Sequence, residues 1–240
     1  MKNNILGVFL GSCVGDALGA PLEFQRRDIR NIDDMTTGGI LQLELGEWTD
    51  DTSMSICLSE SLLENDFDLE DQMKKYVMWY KYGKYCTRNK CFDIGNATRA
   101  ALDDYIENGN YISENLSDSS SGNGSIMRLS PISILYNTPE NSSYFLKSID
   151  YARKSSITTH VNKKCQDACA LLFILTNRAL QGYSKKEIFD IDPKILKNTQ
   201  FSNEEIINLA LNSAPIKNKK REQISSSCYV LHSLEAAIWC

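Results

Sequence analysis

Two adjacent carboxylates, Asp50 and Asp51, stand between Thr49 and Thr52 in the stretch Gly46-Glu47-Trp48-Thr49-Asp50-Asp51-Thr52-Ser53-Met54. An apolar run of helical spacing (Met54, Ile56, Cys57, Leu58, Leu62, Leu63) begins just there. A helix N-cap accounts for one acid or hydroxyl, because such side chains accept bonds from the first free N–H groups. A second acid with hydroxyls on both flanks exceeds what a cap needs. Hard oxygen donors at this density suit Mg²⁺ or Ca²⁺. Cap and cation site both stay open on these residues alone.

Other segments carry groups of the same kind. Asp16 interrupts an apolar segment and reads as a hydrogen-bonding acid, whereas Glu23 follows Pro21 and emerges where that segment stops. Asp93 precedes Ile94-Gly95-Asn96-Ala97-Thr98 and reads most simply as a helix cap. In Ser121-Gly122-Asn123-Gly124-Ser125-Ile126-Met127-Arg128, small residues around Asn123 allow successive backbone N–H groups to converge into an anion-binding nest. A helix expected directly after it would add its dipole, and a plain turn is the competing account. No Gly-Lys-Ser/Thr follows, so this is not a Walker loop. His160 is one of two histidines, with His232. Alone, at the start of a helix, it reads as a hydrogen-bonded structural residue.

The elements that must position these groups are helical. Gly7, Gly11, Gly15 and Gly19 recur every fourth residue, which on a helix makes a strip open to close approach by another helix or a ligand. Met1-Lys2 and the apolar Ile5 to Val14 imitate a signal peptide, but Asp16 argues against a membrane role. Residues 36–45 form the one strand-like stretch, with Leu41, Leu43 and Leu45 alternating with Gln42 and Glu44. Leu69 to Tyr82 sets Met73, Tyr76, Val77 and Tyr80 on one helical face. A helix after Asp93 carries Ala101, Leu102, Tyr105 and Ile106 and closes at Asn108-Gly109-Asn110, ahead of a polar loop from Ser113 to Ser121. Helices are expected over Tyr144 to Arg153, over Cys165 to Leu180 with Gly182 as the stop, and over Ser227 to Cys240. Ser184 with Glu187, and Ser202 with Glu205, read as capping boxes. The pattern predicts one all-α domain over residues 1–240.

The totals exclude several classes. At 240 residues, 42% hydrophobic and 24% charged, the chain has an ordinary globular composition. A net charge of −5 opposes a nucleic-acid surface, and the one basic run, Lys217 to Arg221, reads as a solvated loop rather than a membrane contact. Eight cysteines include no CxxC, and Cys57, Cys165, Cys169 and Cys228 fall in helical apolar patterns as small hydrophobes. Cys86 and Cys91 are the best candidates for a pair. Free thiols and a cytoplasmic location are expected.

Taken in order, these segments resemble the ADP-ribosylglycohydrolase family, which includes the glycohydrolases that reactivate ADP-ribosylated dinitrogenase reductase. The resemblance rests on Gly15-Asp16-Ala17-Leu18-Gly19 with Pro21 and Glu23, then Trp48-Thr49-Asp50-Asp51-Thr52, then Asp93-Ile94-Gly95. It continues in Gly122-Asn123-Gly124 with Met127-Arg128 and Pro131, and in Thr159-His160. It implies a compact multi-helix bundle around a two-Mg²⁺ site and an enzyme that cleaves ADP-ribose from a protein side chain or a small conjugate at the anomeric carbon. By resemblance, Thr49, Asp50 and Asp51 are metal ligands, Glu23 the acid at the substrate entrance and Asp93 an acid near the scissile ribose. Gly122, Asn123, Gly124 and Ser125 hold the diphosphate and ribose, and His160 lies beside the nucleotide. Acids about the anomeric carbon suit the oxocarbenium character of glycoside cleavage, and paired cations would orient ribose hydroxyls and activate water. A His-Asp metal phosphohydrolase, the rival class, needs more imidazoles than two.

One departure from the family pattern stands out. A late Asp-x-Asp-Thr, expected after a helix such as Ser227 to Cys240, is not in the sequence, and Asp190-Ile191-Asp192 is followed by Pro193 and lies too early. The expected fold is therefore a C-terminally truncated version of the bundle, holding at most one Mg²⁺ well. The alternative function is an ADP-ribose-binding or structural relative without catalysis.

Overall fold

The computed structural model describes residues 2–27, 32–112, 121–212 and 216–240. The apolar periodicities become helices stacked around α7 (Lys163–Leu180), whose Cys165, Ala168, Cys169, Ala170, Leu171, Phe173 and Ile174 are fully buried. A helix apolar on nearly every face must be enclosed. Around α7 lie α1 (Lys2–Gly19), α5 (Ser130–Leu135), α6 (Phe145–Ile157), α8 (Lys185–Phe189), α10 (Glu204–Leu211) and α11 (Val230–Trp239). The pair α2 (Asp50–Asn65) and α3 (Leu69–Tyr82) buries Met54, Cys57 and Leu58 with Met73, Tyr76 and Trp79. Against α3 rests α4 (Asn96–Asn108), and α9 (Pro193–Asn198) starts on a proline.

The few polar groups of α7 tie down the connections around it. Buried Asp167 accepts Arg153 Nε and Nη2 and the backbone N–H groups of Ser202 and Asn203. This displaces the expected Ser202 capping box: Ser202 Oγ also turns to Asp167, and Asn203 caps α10 through Ile206 N–H. The Ser184–Glu187 box forms as expected at α8. Asn177 Oδ1 accepts Thr138 N–H and its Nδ2 donates to Thr138 O, while Arg178 pairs with Glu140 and donates to the carbonyls of Glu187 and Asp190.

Three other expectations are corrected. Residues 36–45 form no strand: Gly38, Gly39 and Gln42 adopt φ of 101°, 73° and 49°, reversing the chain so that only the isolated bridge Gly38–Leu43 survives. Leu43 is buried while Leu45 is 66% exposed, so the alternating leucines share no face. The glycine strip on α1 packs against nothing described, since a Cβ at Gly7, Gly11 or Gly15 would meet no atom within 4 Å. On length and composition alone, Lys2–Leu22 would suffice to cross a membrane, with mean hydropathy 1.6. Here the inner face of α1 lies on α2, α5 and α7, and Asp16 is committed to α2. All eight cysteines are free thiols, but Cys228 is exposed ahead of α11 rather than inside its apolar pattern. Most of the polar loop from Ser113 to Ser121 lies outside the described residues.

Candidate active site

The first turn of α2 is capped from a distance. Thr49, the N-cap residue, makes no capping bond with its own side chain. Instead the Asp16 carboxylate, delivered by α1, accepts Thr49 N–H at 3.0–3.1 Å, Thr49 Oγ1–H at 2.9 Å and Thr52 N–H at 3.1 Å. An anion placed at the positive end of the helix also complements its dipole. With Thr49 N–H and Thr52 N–H served by Asp16, neither Asp50 nor Asp51 is needed in the place of the N-cap side chain. Arg88 fastens the approach to this turn, pairing with Glu47 and donating to Leu41 O and Gln42 O. That pairing holds the Glu47 carboxyl down at about 2.

Asp50 and Asp51 instead line a cleft of about 840 Å³ together with Glu23 and Asp93. Asp93 does not cap α4: the N-cap is Gly95, and Asp93 lies upstream on the strap from α3. Burial pushes the Asp50 carboxyl up to about 7, helped by the charges of Asp93, Glu23 and Asp16. Burial, then Asp50, drives Asp51 well above the ordinary carboxylate range. Partial desolvation, followed by Asp93 and Asp16, lifts Glu23 to about 7, although its exposed position at the rim lets solvent screen part of that effect. Asp93 is raised by burial, with Ile94 N–H opposing. Four acids that burial and mutual repulsion keep from ionising freely invite a cation or a shared proton.

Gly122, Asn123, Gly124, Met127 and His160 line the same cleft. Asn123–Ser125 form a single 3-10 turn, and the next α-helix begins only at Ser130 and has six residues, so the expected helix dipole is remote from the loop. The loop is held by the segment before α11 and by the first turn of that helix: Asn123 N–H donates to Cys228 O at 2.9 Å, Val230 N–H to Ser121 O at 3.0 Å, and Asn123 Nδ2 to Ser233 Oγ at 3.1 Å. Buried His160 sits behind it, and a Cβ on Gly124 would fall 2.8 Å from His160 Cε1, so glycine is what lets loop and ring touch. Burial, then the Arg128 charge, lowers His160 to about 3 and keeps the ring neutral.

Thr49 and Ser125 do not line the cleft; both are buried behind it, Thr49 with its hydroxyl donated to Asp16. Phe24, Thr98, Cys228 and Tyr229 do line it without having been expected at the site from the sequence. Phe24 carried a local signal only in retrospect, as a 66% exposed aromatic held at φ 59° beside Glu23. Tyr229 carried none, because its bridge to Gly122 spans more than a hundred residues.

The donor set fits a hard divalent ion of modest coordination demand. Asp50 and Asp51 offer adjacent carboxylates whose burial is relieved by a positive charge. Among the described residues no three acids, histidines or cysteines are grouped to cage an ion by themselves. A hydrated Mg²⁺, which keeps several waters and needs few carboxylates, matches that arrangement.

Comparison with known proteins gives a consistent result. The sequence profile of the family described as ADP-ribosylglycohydrolase matches residues 1–240. The chain is 37% identical over 234 residues to the ADP-ribosylarginine hydrolase Tri1 of Pseudomonas putida (strain GB-1), covering 97% of this chain and 60% of that protein. It is 36% identical over 142 residues to the ADP-ribosyl-[dinitrogen reductase] glycohydrolase of Rhodospirillum rubrum, covering 56% and 45% respectively. A solved structure described as an ADP-ribosylglycohydrolase-related protein complex superposes with a TM-score of 0.79 at 31% identity, over 98% of this chain and 74% of that one. The chain thus spans about 60% of the length of the Tri1 relatives it matches.

Proposed function

This chain belongs to the ADP-ribosylglycohydrolase family, and from that premise we propose that it hydrolyses the glycosidic bond joining ADP-ribose to a modified side chain. The observation that carries the reading is the convergence of Glu23, Asp50, Asp51 and Asp93, from separate elements, on the cleft that also contains the Gly122–Gly124 loop. Similarity to ADP-ribosylarginine hydrolases favours arginine as the modified residue.

In this mechanism the Gly122–Ser125 loop receives the diphosphate and ribose, with His160 beside the nucleotide. Ser125 shapes the loop from behind. Glu23, its carboxyl raised by partial desolvation and by Asp93, gives a proton to the departing nitrogen or oxygen. Asp93 faces the ribose and takes the proton of the attacking water as oxocarbenium character develops. Asp50 and Asp51 are the residues that would hold Mg²⁺, while Thr49, bonded to Asp16 behind the cleft, fixes the turn that carries them. When bound, that ion would orient ribose hydroxyls and acidify a water.

The test is release of free ADP-ribose from ADP-ribosylarginine or an ADP-ribosylated protein, with Mg²⁺ or with EDTA, in wild type and Asp51→Asn. Mg²⁺-dependent release that is lost in the variant supports the proposal. The second reading, a binder without turnover, draws on the lack of a three-residue metal cluster among the described residues. ADP-ribose binding without cleavage would favour it, and no binding at all would end both.

A further inference from the structure

Arg128 is 1% exposed, yet its guanidinium meets no carboxylate among the described residues. Nη2 donates to Ser155 O at 3.3 Å, Thr158 Oγ1 at 3.1 Å and Thr159 Oγ1 at 2.7 Å, Nη1 approaches Met54 Sδ at 3.8 Å, and the group lies 4.8 Å from the Tyr76 ring centroid. A buried cation without an anion is costly, and packing alone is served as well by an apolar side chain. The short contact to Thr159 indicates what the charge is for.

We propose that Arg128, acting through Thr159, is a positioning residue that holds His160 in the Nε2–H tautomer, making the ring an N–H donor to an oxygen acceptor bound in the Gly122–Gly124 part of the cleft. Proton counting gives the tautomer. A guanidinium only donates, so Thr159 Oγ1 accepts from Arg128. The same hydroxyl lies 2.8 Å from His160 Nδ1. Its single proton cannot go to Arg128 and finds no other acceptor among the described residues, so it is directed to Nδ1. A protonated Nδ1 donating to the second lone pair would instead leave this buried O–H without an acceptor, so Nδ1 is unprotonated. A neutral imidazole in that state carries its proton on Nε2. The backbone of His160 is fixed from both directions, with its N–H on Ser156 O and its carbonyl accepting Ser156 Oγ–H, each at 2.7 Å. The Nε2 and Cε1 edge is turned to the loop, where a Cβ at Gly122 would stand 3.4 Å from Nε2 and one at Gly124 would stand 3.2 Å from it. Burial, and after it the nearby Arg128 charge, disfavours the imidazolium, so the donor is neutral. Only the identity of the acceptor, an oxygen of ADP-ribose, rests on the function proposed above.

The chain has two histidines, so ¹⁵N-histidine labelling gives two rings to resolve, and His160→Gln assigns them. At pH 7 without ligand, His160 is expected to show a protonated Nε2 and an unprotonated Nδ1. Thr159→Val should scramble that signature and weaken ADP-ribose roughly tenfold, the loss of one useful hydrogen bond; Thr159→Ser should restore both. Arg128→Lys should shift the ring signature as well, and if it fails to fold, the two Thr159 variants decide. A protonated Nδ1 in wild type, or an unchanged ring signature in Thr159→Val, overturns the relay. A correct ring signature in a protein that binds no ADP-ribose leaves the relay standing and removes the nucleotide assignment instead.

Discussion

Replacing Asp16 with alanine tests whether the distant cap organises the site. The substitution removes the acceptor for Thr49 N–H, Thr49 Oγ1–H and Thr52 N–H, and both threonines are buried, at 2% and 4% exposure. Loss of an N-cap costs about 0.5–2 kcal/mol, a buried donor left without a partner costs about 1–3 kcal/mol, and the helix-dipole contribution reaches about 2 kcal/mol in partly buried settings. These overlap because they describe the same bonds. Against them, Asp16 adds repulsion to Asp50, Asp51 and Glu23, which its removal would ease. The net expectation is a destabilisation of about 2–3 kcal/mol, or roughly 5–10 °C in melting temperature for a domain of this size. Thr49→Val, which removes only the hydroxyl, should cost about 1 kcal/mol. Because the same turn carries Asp50 and Asp51, ADP-ribose affinity with Mg²⁺ should fall more in Asp16→Ala than in Thr49→Val. Thermal melts in EDTA and calorimetry of ADP-ribose binding supply both readouts. If Asp16→Ala melts within about 2 °C of wild type, a shift of under 1 kcal/mol, the capping argument is wrong.

The remaining expectations concern the acids, the histidine and the loop. Asp50 is raised in the folded state from 3.8 to about 7, so its contribution to stability is full below its unfolded value and lost as pH rises through about 7. The interval has an upper bound of about 4 kcal/mol, and after solvent screening Asp50→Asn should stabilise the metal-free protein by about 1–3 kcal/mol at pH 8 and little at pH 4, measured by urea unfolding in EDTA. His160 runs the other way: lowered from 6.5 to about 3, it contributes stability that is present above 6.5 and lost as pH falls toward 3. Wild type minus His160→Gln should therefore drop by about 2 kcal/mol between pH 7 and pH 5, and a flat difference would contradict the neutral buried ring. Gly124→Ala forces a methyl group to within 2.8 Å of His160 Cε1 and 3.3 Å of Thr98 Oγ1. It should cost about 1–3 kcal/mol in stability and weaken ADP-ribose binding; wild-type values for both would show that loop and ring are not in contact.

Helix identity was legible because it depends on local spacing. Leu69 to Tyr82 matches α3 residue for residue, with Asp68 accepting from Asp71 N–H and left-handed Gly83 ending the helix. The enclosure of α7 likewise followed from its apolar faces. Spacing misled where the backbone turned back on itself, as at Gly38, Gly39 and Gln42. It also misled where a distant group outbid a local one, as when Asp167 drew Ser202 away from its capping box.

For the site, the sequence by itself determined the chemical inventory: the acids at 23, 50, 51 and 93, the small residues around Asn123, and His160. Tertiary structure alone decided what each was free to do. Asp16 took the cap and spared Asp50 and Asp51, Gly95 took the cap of α4 and spared Asp93, and the strand-like contact of residues 121–123 with 228–230 brought Tyr229 to the cleft. The physical reason is that side-chain type is encoded locally, whereas desolvation, mutual repulsion and the choice among competing hydrogen-bond partners depend on segments tens to hundreds of residues apart meeting in space.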